Sequence, residues 1–340
     1  MSRADLAALL VGEPPYRVDQ VWDGLHRRGV EPEELTELPR ALRERLAADL
    51  PAALAMIAES VSDGGDTVKW LWELAGGARV ETVLMRYADR VTVCVSSQAG
   101  CAMACGFCAT GQAGFQRHLT AGEIVEQVVR ARRRAAPRRV GNVVFMGMGE
   151  PLANYDNVWA AVERLHDDVG ISARHLTVST VGVVPGIHRL AAERLPVNLA
   201  VSLHAANDAL RDELVPLNRR YPLASLMDAC RAWIDAKGRR LSFEWALIAG
   251  VNDRPSDAVE LAALARSLRA HVNLIPLNPT PGYATPGTPP AGVRAFRDLL
   301  RNLGANATVR RNRGTDIDAA CGQLAATPPP PAVAATARAR

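Results

Sequence analysis

Three cysteines on one short, glycine-containing loop carry the clearest chemistry in the sequence. Cys101, Cys105 and Cys108 follow an apolar segment with the spacing Cys-x3-Cys-x2-Cys. Cysteine thiolates are the usual ligands of iron–sulfur clusters. Three thiolates on one loop can bind three irons of a [4Fe–4S] cluster and leave the fourth iron open to another ligand. The spacing therefore predicts a cluster that takes part in chemistry.

Zinc is the alternative ligand for this loop. Structural zinc is held by four closed ligands, commonly in paired Cys-x2-Cys spacing. Here the spacing is asymmetric, and the fourth candidate, Cys321, lies more than 200 residues further on. A set of reduced thiols without metal is the third interpretation. The pattern favours the cluster over both.

The remaining cysteines are Cys94, Cys230 and Cys321. A free cysteine is often only a small buried apolar residue. Cys230 follows a helical pattern and matches no motif, so we expect it to pack in the core. Cys94 lies in an apolar strand pattern, which leaves packing and chemistry open. Cys321 lies in a turn-rich stretch, RGTDIDAACGQL, which is typical of an exposed loop.

The composition is that of a globular protein. Among the 340 residues, 48% are hydrophobic and 22% charged, which excludes a mainly disordered chain, a collagen-like repeat and a heptad rod. The net charge of +4 permits a nucleic-acid partner without requiring one. Only Lys69 and Lys237 are lysines, which we attribute to coding bias. Since no signal peptide and no apolar run of about 20 residues is present, we expect a cytoplasmic protein with reduced thiols and no membrane contact.

The elements that must position these residues alternate between strands and helices. Residues 1 to about 60 show helical spacing, and residues 67–97 alternate apolar and polar residues around Gly76-Gly77, which predicts a hairpin. Predicted strands are 91–97, 140–146, 175–180, 197–203, 241–248, 271–276 and 306–310. Predicted helices are 120–134, 155–167, 185–193, 223–236, 256–269 and 291–302. This order predicts an α/β fold with a parallel sheet, open or closed as a barrel. We divide the chain into a helical accessory domain (1–62), a core (63–324) and a disordered tail (325–340).

Several ordered motifs extend the cysteine signal. They are CVSSQAGCAMACGFCATGQAGFQR around the cysteine loop, MGMGEPLANYDNV at 146–158, STVGVVP at 179–185, VSLHAAND at 201–208, LNPTPG at 277–282 and RGTDIDAACGQL at 313–324. Together they resemble the RlmN/Cfr-type radical S-adenosylmethionine (SAM) methyltransferases of RNA over roughly residues 65–324. The resemblance implies a partial (β/α)6 TIM-like barrel with a small N-terminal helical domain.

The resemblance also implies roles for individual residues. Cys101, Cys105 and Cys108 match the ligands of the [4Fe–4S] cluster, whose open iron binds SAM. Cys321 matches the residue that accepts a methyl group from one SAM, and a radical derived from a second SAM activates that methyl. Glu81 matches the general base, although a single strand carboxylate by itself indicates only a solvent-facing residue. Cys94 matches the thiol that releases the product by forming a transient disulfide with Cys321.

SAM contacts are carried over in the same way, each at the end of a predicted strand. They are Gly149, Glu150, Ser179, Ser202, Leu203, His204 and Asn278. Without the resemblance, His204 is more typical of a structural histidine and Asn278 of a turn residue. His118 and Val181 depart from the family's pattern, which has asparagine and serine at these positions.

The family's substrates define the expected partners. Its members methylate an adenine in the peptidyl-transferase centre of 23S rRNA, and some also modify an adenosine in the tRNA anticodon loop. We expect methylation at adenine C2, a flavodoxin or ferredoxin-like electron donor, a monomer, and RNA contact by residues 1–62. Two arginine-rich stretches are candidates for phosphate contact: the first basic run (residues 130–139) and the second basic run (residues 310–313). The alternatives are a Cfr-like enzyme acting at adenine C8, a radical enzyme without methyl transfer, and a zinc-dependent RNA-binding protein.

Overall fold

The computed structural model describes residues 3–50 and 52–326. The strands are β1 (Leu54–Ser62), β2 (Thr67–Leu74), β3 (Arg79–Arg86), β4 (Val91–Cys94), β5 (Gln98–Gly100), β6 (Phe115–His118), β7 (Asn142–Phe145), β8 (Leu176–Thr180), β9 (Asn198–Ser202), β10 (Ser242–Leu247), β11 (His271–Pro276) and β12 (Asn306–Val309). The helices are α1 (Arg3–Leu9), α2 (Tyr16–Trp22), α3 (Arg40–Asp49), α4 (Ala109–Gln112), α5 (Ala121–Ala135), α6 (Tyr155–Asp167), α7 (Val184–Ala192), α8 (Asp208–Leu214), α9 (Leu223–Lys237), α10 (Pro255–Ser267) and α11 (Pro290–Asn302).

A ten-stranded sheet organises the molecule, in the order β1-β2-β3-β4-β7-β8-β9-β10-β11-β12. The strands from β1 to β4 pair antiparallel, whereas those from β4 to β12 pair parallel. Six parallel strands, β4 and β7 to β11, are each followed by a helix that returns to the next strand. This is the predicted (β/α)6 arrangement, and β12 is added at its edge. The order does not close on itself, so the barrel is partial.

Local sequence accounts for the main elements. The Thr120 hydroxyl accepts the N–H of Glu123, whose carboxylate accepts the N–H of Thr120, so α5 begins with the predicted capping box. Gly76 and Gly77 both have positive φ, which matches the tight turn predicted between β2 and β3. The parallel strands are apolar because helices cover one face and the barrel interior the other. Cys230 on α9 is fully buried in the core, as predicted.

The segment before the hairpin differs from its prediction. The helical spacing predicted up to about residue 60 is wrong over residues 54–60, because they form β1, which pairs antiparallel with β2 along its length. β1 is an edge strand with a mainly exposed burial pattern, so its sequence lacks strict apolar alternation. β1 belongs to the sheet of the core. We therefore propose that the accessory domain ends near Asp49, where α3 ends, rather than at residue 62.

The N-terminal helices have an apolar core of their own. It consists of Leu6, Leu10, Val21, Trp22, Leu35, Leu38, Leu42 and Leu46. The first basic run joins this unit to the barrel. On α5, Arg130 and Arg133 lie 2.6 and 3.0 Å from Glu31, and Arg132 donates to the carbonyl of His26. These arginines are therefore committed to contacts inside the chain.

The predicted tail falls mostly outside the described residues, since 327–340 are not among them. Within the described ranges, no helix has the length and apolarity needed to cross a membrane.

Candidate active site

A cavity of about 150 Å³ opens at the carboxyl ends of the parallel strands, where this class of fold places its ligands. Nine of the thirteen predicted site residues line it. They are Cys101, Cys105, Cys108, Gly149, Glu150, Ser179, Ser202, His204 and Cys321. The other four are Glu81, Cys94, Leu203 and Asn278. The topology thus gathers residues that are distant in the sequence around one space.

The three loop cysteines lie on one side of this cavity. The N–H of Cys108 donates to the carbonyl of Cys105 (3.1 Å), which keeps the loop compact. Burial raises the pKa of Cys101 to about 12, and the pKa of Cys105 and Cys108 is raised for the same reason. Thiols in such an environment are neutral until a metal displaces their protons. The loop therefore suits metal-bound thiolates better than free reactive ones.

The arrangement of the three loop cysteines can be tested against a cluster. Within the described residues, no three Cys, His, Asp or Glu side chains are grouped closely enough to hold a single ion. In a [4Fe–4S] cluster each cysteine binds a different iron, so the three sulfurs need not meet at one point. Three cysteines beside an open cavity fit the cluster.

Glu150 is a buried carboxylate at the end of β7. Its two oxygens accept the N–H groups of Leu152 (2.9 Å) and Val181 (2.8 Å). Burial raises its pKa to about 7 despite these hydrogen bonds. Gly149 has φ +99°, and a Cβ at this residue would lie 2.5 Å from the Cβ of Gln98. Gln98 in turn accepts the N–H of Glu150 (2.8 Å), so it supports the whole turn.

The residues at the ends of β8 and β9 have distinct surroundings. The hydroxyl of Ser179 donates to the carbonyl of Phe145 (2.7 Å). Ser202 is half-buried beside the cavity, while Leu203 is fully buried in the main core. The Nδ1 of His204 accepts the N–H of Ala246 (3.0 Å), and burial lowers the pKa of His204 to about 3, so the ring is neutral.

Arg211 holds these strand ends together. Its buried guanidinium donates to the carbonyls of Val181 (2.6 Å) and Leu203 (3.0 Å) and to Oδ1 of Asn218 (2.8 Å). Val181 therefore contributes through its backbone N–H and C=O. This explains why valine is compatible with a position where the family pattern has serine.

The loop that carries Cys321 covers the cavity. It is held mainly through its backbone: Asn278 Nδ2 donates to the carbonyl of Cys321 (3.1 Å), the N–H of Ala109 to Gly322 (2.8 Å), and Thr110 Oγ1 to Leu324 (2.6 Å). Asn278 thus binds the Cys321 loop, with its Oδ1 occupied by Asn312. A contact between Asn278 and SAM remains a prediction.

Cys94 and Cys321 are neighbours in the folded chain. Both line a second, smaller cavity together with Arg310. Burial raises the pKa of Cys94 to about 12, and the neighbouring Cys321 adds to this effect. The pKa of Arg310 is raised, mainly by Cys321 and also by Glu244 and Cys94. Arg310 lowers the pKa of Cys94 in part, but burial outweighs this contribution.

Glu81 lies on β3 and is 1% exposed. Its Oε1 is 2.8 Å from Nζ of Lys69, and its Oε2 accepts the N–H groups of Ala325 (2.9 Å) and Ala326 (3.1 Å). The interpretation of Glu81 as a solvent-facing strand residue is therefore wrong. It is buried on the side of the sheet that the Cys321 loop covers.

The comparison with known proteins agrees with these features. The sequence profile of the radical SAM superfamily matches residues 95–262. A protein of Parafrankia sp. (strain EAN1pec), named "Probable dual-specificity RNA methyltransferase RlmN", is 52% identical over 95% of this chain and 89% of its own length. "Dual-specificity RNA methyltransferase RlmN 1" of Myxococcus xanthus is 51% identical over 96% and 93%. The crystal structure of a radical SAM methyltransferase from Sphaerobacter thermophilus is 51% identical, with a TM-score of 0.91 over 96% of both chains.

The chain belongs to the RlmN family. The predicted family and fold are thereby confirmed, and membership in the RlmN family implies a [4Fe–4S] cluster and SAM as cofactors. The relatives favour this family over the Cfr-like alternative and over a zinc-dependent RNA-binding protein.

Two residues around the site carry no assignment from the sequence: Gln98 supports Glu150, and Lys69 pairs with Glu81. Arg310, which the sequence assigns only to the second basic run as a candidate for phosphate contact, lies beside both outer cysteines. One feature of the sequence singles out Lys69: it is one of only two lysines in an arginine-rich chain. In the second basic run, the guanidinium of Arg313 lies 3.6 and 3.7 Å from the carboxylates of Asp63 and Asp66. Arg310 and Arg313 are half-buried, whereas Arg311 is exposed.

Proposed function

We propose that the protein methylates C2 of an adenine in the peptidyl-transferase centre of 23S rRNA, and an adenosine in the tRNA anticodon loop as a second substrate. The observation that carries the proposal is the convergence of two cysteines outside the cluster motif beside the cavity that the cluster cysteines line. An ordinary methyltransferase has no use for two such thiols. An aromatic C–H is not nucleophilic, so the ring carbon cannot directly displace the methyl group from the sulfonium of SAM. A carrier thiol combined with radical activation provides another route.

Each residue of the site has a role in this proposal. Cys101, Cys105 and Cys108 would hold the [4Fe–4S] cluster, which would supply the electron that generates a radical from SAM. Glu150, whose carboxylate suits an ammonium group, and the ends of β7 to β9 hold SAM. Cys321 takes the methyl group of one SAM onto its sulfur and loses its thiol proton, and the demethylated thioether leaves. The radical from a second SAM removes a hydrogen atom from this methyl group, whose carbon then bonds to the adenine ring.

Glu81 and Cys94 complete the reaction. Glu81 accepts the proton from the adenine carbon, as a buried carboxylate beside the carrier loop can do. Cys94 attacks the sulfur of Cys321, so a disulfide forms and the methylated RNA is freed. The two thiols are reduced again before the next turnover. Two SAM molecules are used each time, one as methyl source and one as radical source.

RNA binding, the electron donor and the location complete the proposal. Arg311 is an exposed cation next to the Cys321 loop and can contact phosphate. The adenine leaves its stack to reach the cavity, as base-modifying enzymes require. A flavodoxin or ferredoxin-like protein supplies electrons, and the cytoplasm, where ribosomes and tRNA are found, is the location. The N-terminal helices assist RNA binding.

The decisive experiment locates the methyl group. Anaerobically reconstituted enzyme is incubated with 23S rRNA, and the nucleosides are compared by mass spectrometry with 2-methyladenosine and 8-methyladenosine. We expect the C2 product, its loss in Cys321→Ala, and its retention in the matched control Cys230→Ala, which removes a packing thiol. The C8 product would support the Cfr-like alternative, and the absence of any methyladenine would refute both. Full product formation by Cys321→Ala would refute the carrier role.

A further inference from the structure

Lys69 and Glu81 form an ion pair in the interior of the antiparallel part of the sheet. The side chain of Lys69 is 12% exposed and that of Glu81 1%. The two project from the same face, because Lys69 lies two positions from Leu71, the strand partner of Glu81. A carboxylate at this depth loses most of its hydration, and the ammonium offsets that cost.

The same ammonium reaches the loop that carries Cys321. Lys69 Nζ donates to the carbonyl of Asp318 at 3.3 Å, three residues before Cys321. One side chain therefore contacts both the proposed base and the backbone of the proposed methyl carrier. Neither the cluster motif nor the SAM motifs include this lysine.

The two oxygens of Glu81 have different kinds of partner. Oε1 faces Lys69, which belongs to a central part of β2, whereas Oε2 accepts the N–H groups of Ala325 and Ala326 from the C-terminal segment. A strand residue cannot leave without disrupting the sheet, whereas Ala325 and Ala326 lie in no helix or strand and can be displaced without disrupting one. Oε1 is therefore the anchored oxygen and Oε2 the one that a substrate can reach.

We propose that Lys69 is a positioning residue for the methyl transfer. It fixes Glu81 through Oε1, directs Oε2 at the adenine, and keeps the Cys321 loop beside that base. This inference rests on the proposed function. In the step concerned, the C–H bond at adenine C2 breaks, its electron pair stays in the ring, and the proton forms an O–H bond with Oε2. Lys69 remains an ammonium throughout.

Lys69→Met tests this role in the holoenzyme, with Lys237→Met as the matched control because it removes the only other lysine. A general base contributes about 10²–10⁴-fold to a reaction, so we expect Glu81→Gln to lose about that factor in methyladenine formation and Lys69→Met to lose about 10–100-fold. The methyl group is still placed on Cys321 in both variants, since that step does not use Glu81. Peptide mass spectrometry with isotope-labelled SAM measures it, and Lys237→Met matches the parent in both assays.

A double variant distinguishes positioning from general stability. Lys69→Met in a Glu81→Gln background should cause no further loss, because Lys69 acts through Glu81. An equal additional loss in that background would overturn the proposal, and so would a parallel fall of Cys321 methylation and methyladenine in Lys69→Met. If Lys69→Met were fully active while Glu81→Gln was slow, the positioning role of Lys69 would be refuted and the base role of Glu81 would stand. Full activity of Glu81→Gln would instead refute the base role in the proposed function.

Discussion

Gly149→Ala tests the turn that is proposed to hold SAM. Gly149 has φ +99°, and a Cβ there would lie 2.5 Å from Cβ and 2.7 Å from the backbone N of Gln98. The left-handed conformation costs a residue with a Cβ about 1–2 kcal/mol. Overpacking adds about 1–3 kcal/mol, since backbone as well as side chain must move. We therefore expect the free energy of unfolding to fall by about 2–5 kcal/mol.

Gly170→Ala is the matched control for this prediction. Gly170 has φ +80°, but a Cβ added there would have no heavy atom within 4 Å. This variant should lose only the conformational part, about 1–2 kcal/mol. The difference between the two variants therefore isolates the contact with Gln98. Urea denaturation of both variants, prepared without the cluster, measures it, because the stability change appears in the midpoint when the slope is unchanged.

The same pair of variants separates folding from function. The hydrogen bond from the N–H of Glu150 to Gln98 spans 2.8 Å and is lost if the turn moves. A hydrogen bond between two neutral groups, here a backbone N–H and a side-chain amide oxygen, is worth about 0.5–1.5 kcal/mol. Because its loss would displace Glu150, the SAM affinity of the reconstituted Gly149→Ala enzyme should fall by about two- to tenfold. Equilibrium dialysis should show parent-like affinity for Gly170→Ala. Equal unfolding midpoints for the two variants, or undiminished SAM affinity in Gly149→Ala, would refute the reasoning.

Three further predictions concern the outer residues. Cys94→Ala should accumulate a covalent RNA–protein adduct through Cys321, visible on a denaturing gel; recovery of free RNA alone contradicts the release role. Deleting residues 325–340 removes the two N–H donors from Glu81 Oε2, so KM for RNA should fall, and an unchanged or higher KM argues against displacement of this segment. Arg311→Ala should weaken RNA binding and reduce its salt dependence by about one ion, whereas Arg133→Ala, which loses contacts to Glu31 and Glu34, should leave both unchanged in filter-binding titrations.

The parallel part of the fold and the β2–β3 hairpin could be predicted because their elements carry local signals. The capping box at Thr120 starts α5, and Gly76-Gly77 makes the hairpin turn. β1 could not be predicted, because it lacks a local signal of this kind. Its position depends on pairing with β2, and an edge strand exposes residues such as Met56 that break the alternation on which strand prediction depends. The sequence pattern of an edge strand is set by its neighbour more than by its own residues.

The residues of the candidate site divide in the same way into those that local sequence predicts and those that it does not. The cysteine loop and the Gly149-Glu150 turn are contiguous motifs and could be found directly. Lys69 and Gln98 act through partners that only the folded chain brings near, so their residue types alone carry no assignment. The position of Arg310 beside Cys94 and Cys321 could not be predicted for the same reason. In the first basic run, Arg130, Arg132 and Arg133 join the N-terminal helices to the barrel, a use that charge density alone does not indicate. Contact of this run with RNA stays a prediction.

The Cys321 loop is held by several separate hydrogen bonds. Its anchors come from three sources: the cluster loop through Ala109 and Thr110, the barrel edge through Asn278, and the base through Lys69 and Glu81. These hydrogen bonds all involve main-chain atoms of the loop, and the side chains of Asp316 and Gln323 add contacts to Ser62 and to the carbonyl of Pro279. A hydrogen bond between neutral groups contributes about 0.5–1.5 kcal/mol net, and one to a charged group about 1.5–3 kcal/mol. RNA contacts of ordinary strength can therefore replace them one by one. In the proposed function, Cys321 must meet SAM, then adenine and then Cys94. Such a carrier requires a loop of this kind, because a thiol fixed in one place could serve only one of the three.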